Sequence, residues 1–256
     1  MRIIYGINPV KEALKASPEK MEKIIISIER ASGTDEIIQA ARAMNIEVIR
    51  APREEIDAIA GTPKNQGVAA SIIGEFRYAD LDGLIGSWKA SGKSAFFLIL
   101  DSIQDPQNLG SLVRAAEAAG VNGVIIPRDR ACEVTPAVVK ASAGATEHMR
   151  VAREVNLTRA IERLKAEGVW IAAIEAGCAG DIYNTDLDRD LAIVVGSEGR
   201  GIRRLVRESC DFCVSIPMSG KINSLSAAQA GAIAVFEARR QRLAASEVAR
   251  KSRETP

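Results

Sequence analysis

Three short segments of the chain combine residue types suited to chemistry. In Asn108-Leu109-Gly110-Ser111-Leu112-Val113-Arg114, Asn108 is placed to cap a helix whose buried stripe is Leu109, Leu112, Val113 and Ala116. Gly110 and Arg114 stand four residues apart and share a face, so the missing side chain leaves room for a ligand to reach the arginine. Its rigid fork of donors suits a phosphate. Gly196-Ser197-Glu198-Gly199-Arg200-Gly201 follows the apolar run Leu191 to Val195. Its glycines let the backbone turn sharply against a ligand, and Glu198 can accept from backbone N–H groups or hold a partner side chain. The third segment runs from Ile216 to Ser226, where Ser226 and Gln229 form a capping-box pair for the next helix. Asn223 and Ser224 precede it in a donor-rich loop that, with Ile216 to Met218, is suited to wrapping an adenine. Taken singly, each segment also reads as a capped core helix or a plain glycine turn.

The elements that must position these segments follow from patterning. Residues 1–76 alternate short helices and strands, with Asn8 and Pro9 opening the first helix and strands expected at Lys23–Glu29, Ile46–Arg50 and Val68–Ile73. No catalytic constellation falls in that unit. Residues 77–93, with Gly83, Gly86 and Gly92, have the composition of a connector. A second α/β pattern starts at the strand Ala95–Leu100 and continues through a helix to Ala119, closed by Gly120, and a strand Val121–Ile126. Further strands are expected at Val169–Ile174, Leu191–Val195 and Cys213–Pro217, which implies a mainly parallel sheet covered on both faces. Residues 245–256 read as a charged tail.

Composition narrows the function classes. The chain has 256 residues, 47% apolar, with a formal net charge of +1, so global charge does not announce a nucleic-acid partner. Local arginine clusters do more: Arg200, Arg203, Arg204 and Arg207 after the glycine turn, and Arg239, Arg240 and Arg242 in the last helix. No apolar run is long enough to span a membrane, and Asn8-Pro9 interrupts any signal-peptide core. Cys132, Cys178, Cys210 and Cys213 show no disulfide-framework spacing, which fits a reducing cytoplasm. Cys210 and Cys213 suit two zinc ligands, but no second pair lies near, so no metal is expected. The dinucleotide fingerprint G-x-G-x-x-G is absent, which leaves little for an oxidoreductase. The lone His148 leaves no choice of partners for hydrolase chemistry.

The order and spacing of the three segments resemble the signature motifs of the SpoU/TrmH family of RNA ribose 2′-O-methyltransferases. Lys140-Ala141-Ser142-Ala143-Gly144-Ala145 is a further family-like segment, and Tyr5 to Val10 with Gln66-Gly67 resembles the small RNA-binding domain of some members. The resemblance implies an α/β fold: a small N-terminal α/β RNA-binding domain (residues 1–76), a linker (77–93) and a C-terminal SPOUT-type domain with a trefoil knot (94–244). It further implies S-adenosylmethionine as cofactor, contacted by Gly196, Ile216, Met218 and Leu225. Asn108, Arg114, Glu198 and Ser224 would line the reaction centre, with Arg114 either the base or the grip on a phosphate. The partners implied are structured RNA, a guanosine of large-subunit ribosomal RNA foremost, and a second copy of the chain in a homodimer, in the cytoplasm. A transfer-RNA methyltransferase and a non-catalytic RNA-binding or ribosome-assembly protein are the alternatives. Ser226 stands where relatives carry asparagine, and Asn65 where they often carry histidine.

Overall fold

The computed structural model describes residues 1–29, 33–221 and 224–254, and of 248–254 only the helical backbone. In chain order the elements are β1 (Arg2–Tyr5), α1 (Ile7–Ala16), β2 (Met21–Ser27), α2 (Asp35–Ala43), β3 (Glu47–Ala51), α3 (Arg53–Ala60) and β4 (Val68–Ile72). There follow α4 (Leu81–Ser91), β5 (Phe96–Asp101), α5 (Pro106–Ala119), β6 (Gly123–Pro127), α6 (Pro136–Ala141), β7 (Val151–Glu154), α7 (Leu157–Ala166) and β8 (Trp170–Ile174). The chain continues with β9 (Gly180–Asp181), β10 (Leu191–Gly196), α8 (Arg204–Glu208), β11 (Phe212–Ser215) and α9 (Ala227–Glu254). Contacts divide it into two compact units, Met1–Arg77 with Glu133–His148, and Tyr78–Cys132 with Met149 onward.

The first unit holds a four-stranded sheet in the order β1-β4-β2-β3, antiparallel except for the β2–β3 pair. Asn8 does not cap α1. The helix begins at Ile7, whose N–H donates to the Gln66 side chain at 3.2 Å, so a distant glutamine does the work expected of the local asparagine. Asn65 is fully buried: its amide donates to Asp57 and to the Thr62 carbonyl and accepts from Gly67 N–H. That closes the turn carrying Gln66 and gives the asparagine a structural task. The family-like segment around Lys140, expected inside the C-terminal domain, counts with this unit. Val139 enters its core, and Gly144, at φ +90°, lies so close to Glu12 and Pro9 that a Cβ there would collide.

The second unit holds a seven-stranded, wholly parallel sheet in the order β7-β6-β5-β10-β8-β11-β9. Alternation along the strands explains how both faces are covered. Phe97, Ile99, Ala192 and Val194 point into one core with α4, α7 and α8, while α5 and α9 pack together on the opposite face. The connector expected over 77–93 is mostly helix. Leu81, Leu84, Ile85 and Trp88 of α4 are buried, and Asp80 caps it by accepting from Gly83 N–H at 2.6 Å. The charged tail continues α9 as helix to Glu254; residues 255 and 256 lie outside the described residues. Among the described residues no helix is long and apolar enough to cross a membrane.

Candidate active site

A parallel sheet puts the C-terminal ends of all its strands on one edge, and loops leaving that edge are where such folds bind ligands. Here the loops after β5, β10, β8 and β11 enclose two adjoining cavities of about 460 Å³ each. The first is bordered by Ser102, Gln104, Asp105, Asn108 and Arg130. The second has Ile174, Glu175, Gly196, Ile216, Met218 and Leu225 on its walls. Ser197, Glu198, Arg200, Gly201 and Ala227 border both, so the glycine turn is the partition between them.

The turn is held by its own backbone and by a buried charge. Gly201 N–H donates to Ser197 C=O at 2.9 Å, and Gly199 and Gly201 take positive φ values of 79° and 63°. Asp101, fully buried at the end of β5, accepts from Arg203 N–H and Nε, each at 2.7 Å. The next residue, Ser102, adopts φ 62°, and Arg130 φ 60°. Both are left-handed non-glycine positions on the wall of the first cavity, and such backbone is disfavoured unless its surroundings impose it.

Of the residues singled out from the sequence, seven gather here. Glu198 and Ser224 join Gly196, Ile216, Met218 and Leu225 around the second cavity, and Asn108 borders the first. Asn108 is not the helix cap. Asp105 caps α5 by accepting from Asn108 N–H at 3.0 Å, which frees the Asn108 amide to donate to Glu198 Oε1 at 3.3 Å. That bond ties the first motif to the second. Arg114 borders neither cavity. Six residues beyond Asn108, it lies about 9 Å further along the helix axis, exposed, while Gly110 is buried.

In the third motif, Ser226 and Gln229 form the reciprocal capping box: Ser226 N–H donates to Gln229 Oε1 at 3.0 Å and Gln229 N–H to Ser226 Oγ at 3.2 Å. Ser226→Ala is expected to cost about 1 kcal/mol and to lower Tm by roughly 2–4 °C in thermal melts, with Ser226→Asn close to wild type. Asn223 lies outside the described residues.

Most of the clustered arginines are spent within the protein. Arg204 pairs with Glu208, Arg207 with Glu175 and Arg240 with Glu237. Arg242 donates to the Ala95 and Arg189 carbonyls and lies 4.4 Å over the Phe96 ring. Arg200 and Arg130, both exposed, remain as the cations on the first cavity. Arg130, Glu175 and Asp101 were not singled out from the sequence; only their places at strand ends mark them. The two cysteines read as possible zinc ligands part company. Cys210 Sγ turns to the Val206 carbonyl, and burial pushes its thiol up to about 12. It stays protonated at pH 8, so iodoacetamide is expected to label it slowly in the native protein. Cys213 is bonded to Cys178, against the expectation from spacing; the partner lies 35 residues away, a separation no short motif reveals. His148 pairs with Glu12 at 2.8 Å in the first unit.

The model of the SpoU rRNA methylase family matches residues 95–236, and that of the RNA 2′-O ribose methyltransferase substrate-binding domain matches residues 3–75. The chain belongs to the SpoU family. YacO, a TrmH family tRNA/rRNA methyltransferase of Bacillus subtilis, is 40% identical over 240 residues, covering 93% of this chain and 95% of that protein. A relative from Staphylococcus saprophyticus with the same family name is 43% identical over 94% of this chain and 96% of its own length. Among solved structures, the SpoU methyltransferase AviRb of Streptomyces viridochromogenes, in complex with AdoMet, aligns with a TM-score of 0.75 at 23% identity, over 94% of this chain and 90% of that one. An AdoMet-bound rRNA methyltransferase of Sinorhizobium meliloti aligns with a TM-score of 0.72 at 24% identity, over 93% and 87%. These two share the fold. As a SpoU family enzyme the chain is an RNA ribose 2′-O-methyltransferase that uses S-adenosylmethionine, which sets aside the non-catalytic reading.

Proposed function

We propose that this SpoU enzyme methylates the 2′-oxygen of a guanosine in large-subunit ribosomal RNA, acting as a cytoplasmic homodimer whose C-terminal domain carries a trefoil knot. The observation that carries the reading of the site is the Asn108–Glu198 hydrogen bond on the partition between two cavities of similar size. One cavity suits the cofactor. Ile216, Met218 and Leu225 offer apolar surface to a purine, the volume lies within the range of small-molecule sites, and Glu175 and Glu198 offer negative charge to a cation. Gly196, at the strand end, lets the backbone of Gly201 and Ile202 close against it and so shapes the cavity wall. When bound, S-adenosylmethionine supplies an electrophilic methyl group on a sulfonium. The other cavity, with Arg130 and Arg200 at its mouth, suits a nucleotide and its phosphate.

The chain's own contribution is then alignment and proton control. Holding two reactants in register is worth several kcal/mol. Asn108 orients Glu198, which, with Ser224, stands where the acceptor hydroxyl's proton must be managed. A guanidinium holds its proton too tightly to serve as a base and offers a planar fork of donors instead, so Arg114 is assigned to gripping the phosphate beside the target ribose. Because Arg114 borders neither cavity of its own chain, this assignment requires a site completed by a second copy. That geometry supports the homodimer. The attached substrate-binding domain, matched over residues 3–75, resembles that of the members acting on large-subunit ribosomal RNA, and this resemblance is the ground for preferring ribosomal to transfer RNA.

The deciding experiment is methyl transfer from labelled S-adenosylmethionine to ribosomal and transfer RNA, followed by digestion to nucleosides. Label in 2′-O-methylguanosine of large-subunit RNA is the expected result; label confined to transfer RNA, or on another base, overturns the substrate assignment. Arg130→Ala and Arg200→Ala are each expected to weaken RNA binding uniformly across sequences and to lower the salt slope by about one. Because Arg130 borders only the first cavity, Arg130→Ala should leave cofactor affinity unchanged by calorimetry.

A further inference from the structure

The loop between β8 and β9 holds the cluster Glu175, Cys178 and, across on β11, Cys213, whose ligand-type atoms lie within 4.8 Å of one another. The two sulfurs are joined, over a Cα–Cα distance of 5.7 Å that falls in the ordinary range for a disulfide. Neither cysteine is sealed in the core; both are half-buried. Cys213 sits on a strand paired on both sides, to β8 and to β9, and is the fixed member. Cys178 is the loop member. Arg207 reaches toward its Sγ at 3.8 Å and toward Glu175 at 3.4 Å.

The bond lies against the second cavity. Glu175 and Ala176, at the start of the bonded loop, form one part of its wall; Ile216 and Met218, which continue directly from β11, form another. A link from the loop to β11 therefore fixes two walls of that cavity relative to each other. We propose that Cys178 and Cys213 are a thiol–disulfide couple, oxidised by low-molecular-weight disulfides and reduced by thiols, and that the state of the couple sets the affinity of the adjoining cavity for S-adenosylmethionine. The affinity half rests on the assignment of the cofactor to this cavity.

The chemistry balances as two exchanges. The Cys178 thiolate attacks a small disulfide RSSR, forming a Cys178–SR bond and releasing RS⁻. The Cys213 thiolate then attacks the Cys178 sulfur, forming the Cys178–Cys213 bond and releasing a second RS⁻. The chain loses two electrons and RSSR gains them, and the two protons given up by the cysteines end on the two released thiolates. Reduction by a thiol runs the same steps backward. The oxidised form has its cavity walls preorganised and binds the cofactor more tightly, by about fivefold.

The test uses the full chain, equilibrated with oxidised glutathione or with dithiothreitol. Peptide mapping is paired with calorimetric titration of S-adenosylmethionine, and Cys178→Ser is run beside wild type. The proposal expects a Cys178–Cys213 linked peptide after oxidation only, about fivefold tighter binding by oxidised wild type, and no redox dependence in Cys178→Ser. Absence of the linked peptide overturns the couple, and equal affinities in the two states overturn its control of the cavity. If Gly196→Val also retains cofactor affinity, the error is located in the cavity assignment instead. One zinc ion per chain retained by the reduced protein through gel filtration overturns the redox reading in favour of a cation site.

Discussion

Replacing Gly196 by valine is expected to lower methyl transfer by at least about 100-fold, the scale of loss when reactants are misplaced by an ångström. Gly196 ends β10 just where the turn folds back. A Cβ there would fall well under 3.0 Å from the carbonyl group of Gly201 and the nitrogen of Ile202. Those are backbone atoms, so no side chain can swing aside to make room. The turn must shift as a whole, and Glu198 shifts with it, away from Asn108. Cofactor affinity should fall with activity, because the same turn forms the partition of the second cavity. Circular dichroism of the variant should stay near wild type, since the strand itself remains paired to β5 and β8. Unchanged cofactor affinity in a folded Gly196→Val protein would move the cofactor out of that cavity.

Arg114→Ala is expected to lose methyl transfer by a factor of about 100 to 1,000, comparable to removing one donor that stabilises charge in a transition state. Cofactor affinity should remain unchanged, because Arg114 does not border the cavity assigned to the cofactor. Arg114→Lys separates grip from chemistry: a lysine keeps the charge but not the fork. Retained RNA affinity with lost transfer would show that phosphate gripping is an inadequate account. The shared site has its own consequence. If each site takes Arg114 from one chain and Gly196 from the other, mixing the two inactive variants restores about a quarter of wild-type activity, because half the dimers then carry one intact site. No recovery in mixed dimers would place Arg114's role within its own chain.

The sheet was legible because its strands are short apolar runs between turn residues, and strand alternation with helices leaves few architectures. The elements that escaped did so for identifiable reasons. Gly83 and Gly86 drew attention in α4 as punctuation, yet Asp80 and the spacing of Leu81, Leu84, Ile85 and Trp88 already described a capped amphipathic helix. The same holds for α7, where Asn156 caps a stripe of Leu157, Ala160, Ile161 and Leu164. At the site, the glycine turn and the capping box could be read locally because both are local structures. The cap supplied to α1 by Gln66, the buried Asp101–Arg203 pair and the Cys178–Cys213 bond join residues 59, 102 and 35 positions apart. Contacts at such separations leave no periodic trace. Asn108 shows the boundary: its place beside the site was legible, but its task was not, because Asp105 three residues earlier takes over the cap.

The assignment of Glu133–His148 to the first unit has a consequence for synthesis on the ribosome. Four strands of that unit are complete by residue 72, but α6, which packs on β1, and Val139, which fills its core, emerge much later. Between them the ribosome must deliver α4, β5, α5 and β6 of the second unit. The N-terminal sheet therefore waits, with an unfilled flank, while its neighbour begins to form, and the usual order of one domain finishing before the next starts does not apply. A fragment ending at residue 77 would be frozen at that stage: it should expose the flank to hydrophobic dyes and melt at a lower temperature than the same fragment supplied with residues 133–148 through a short linker.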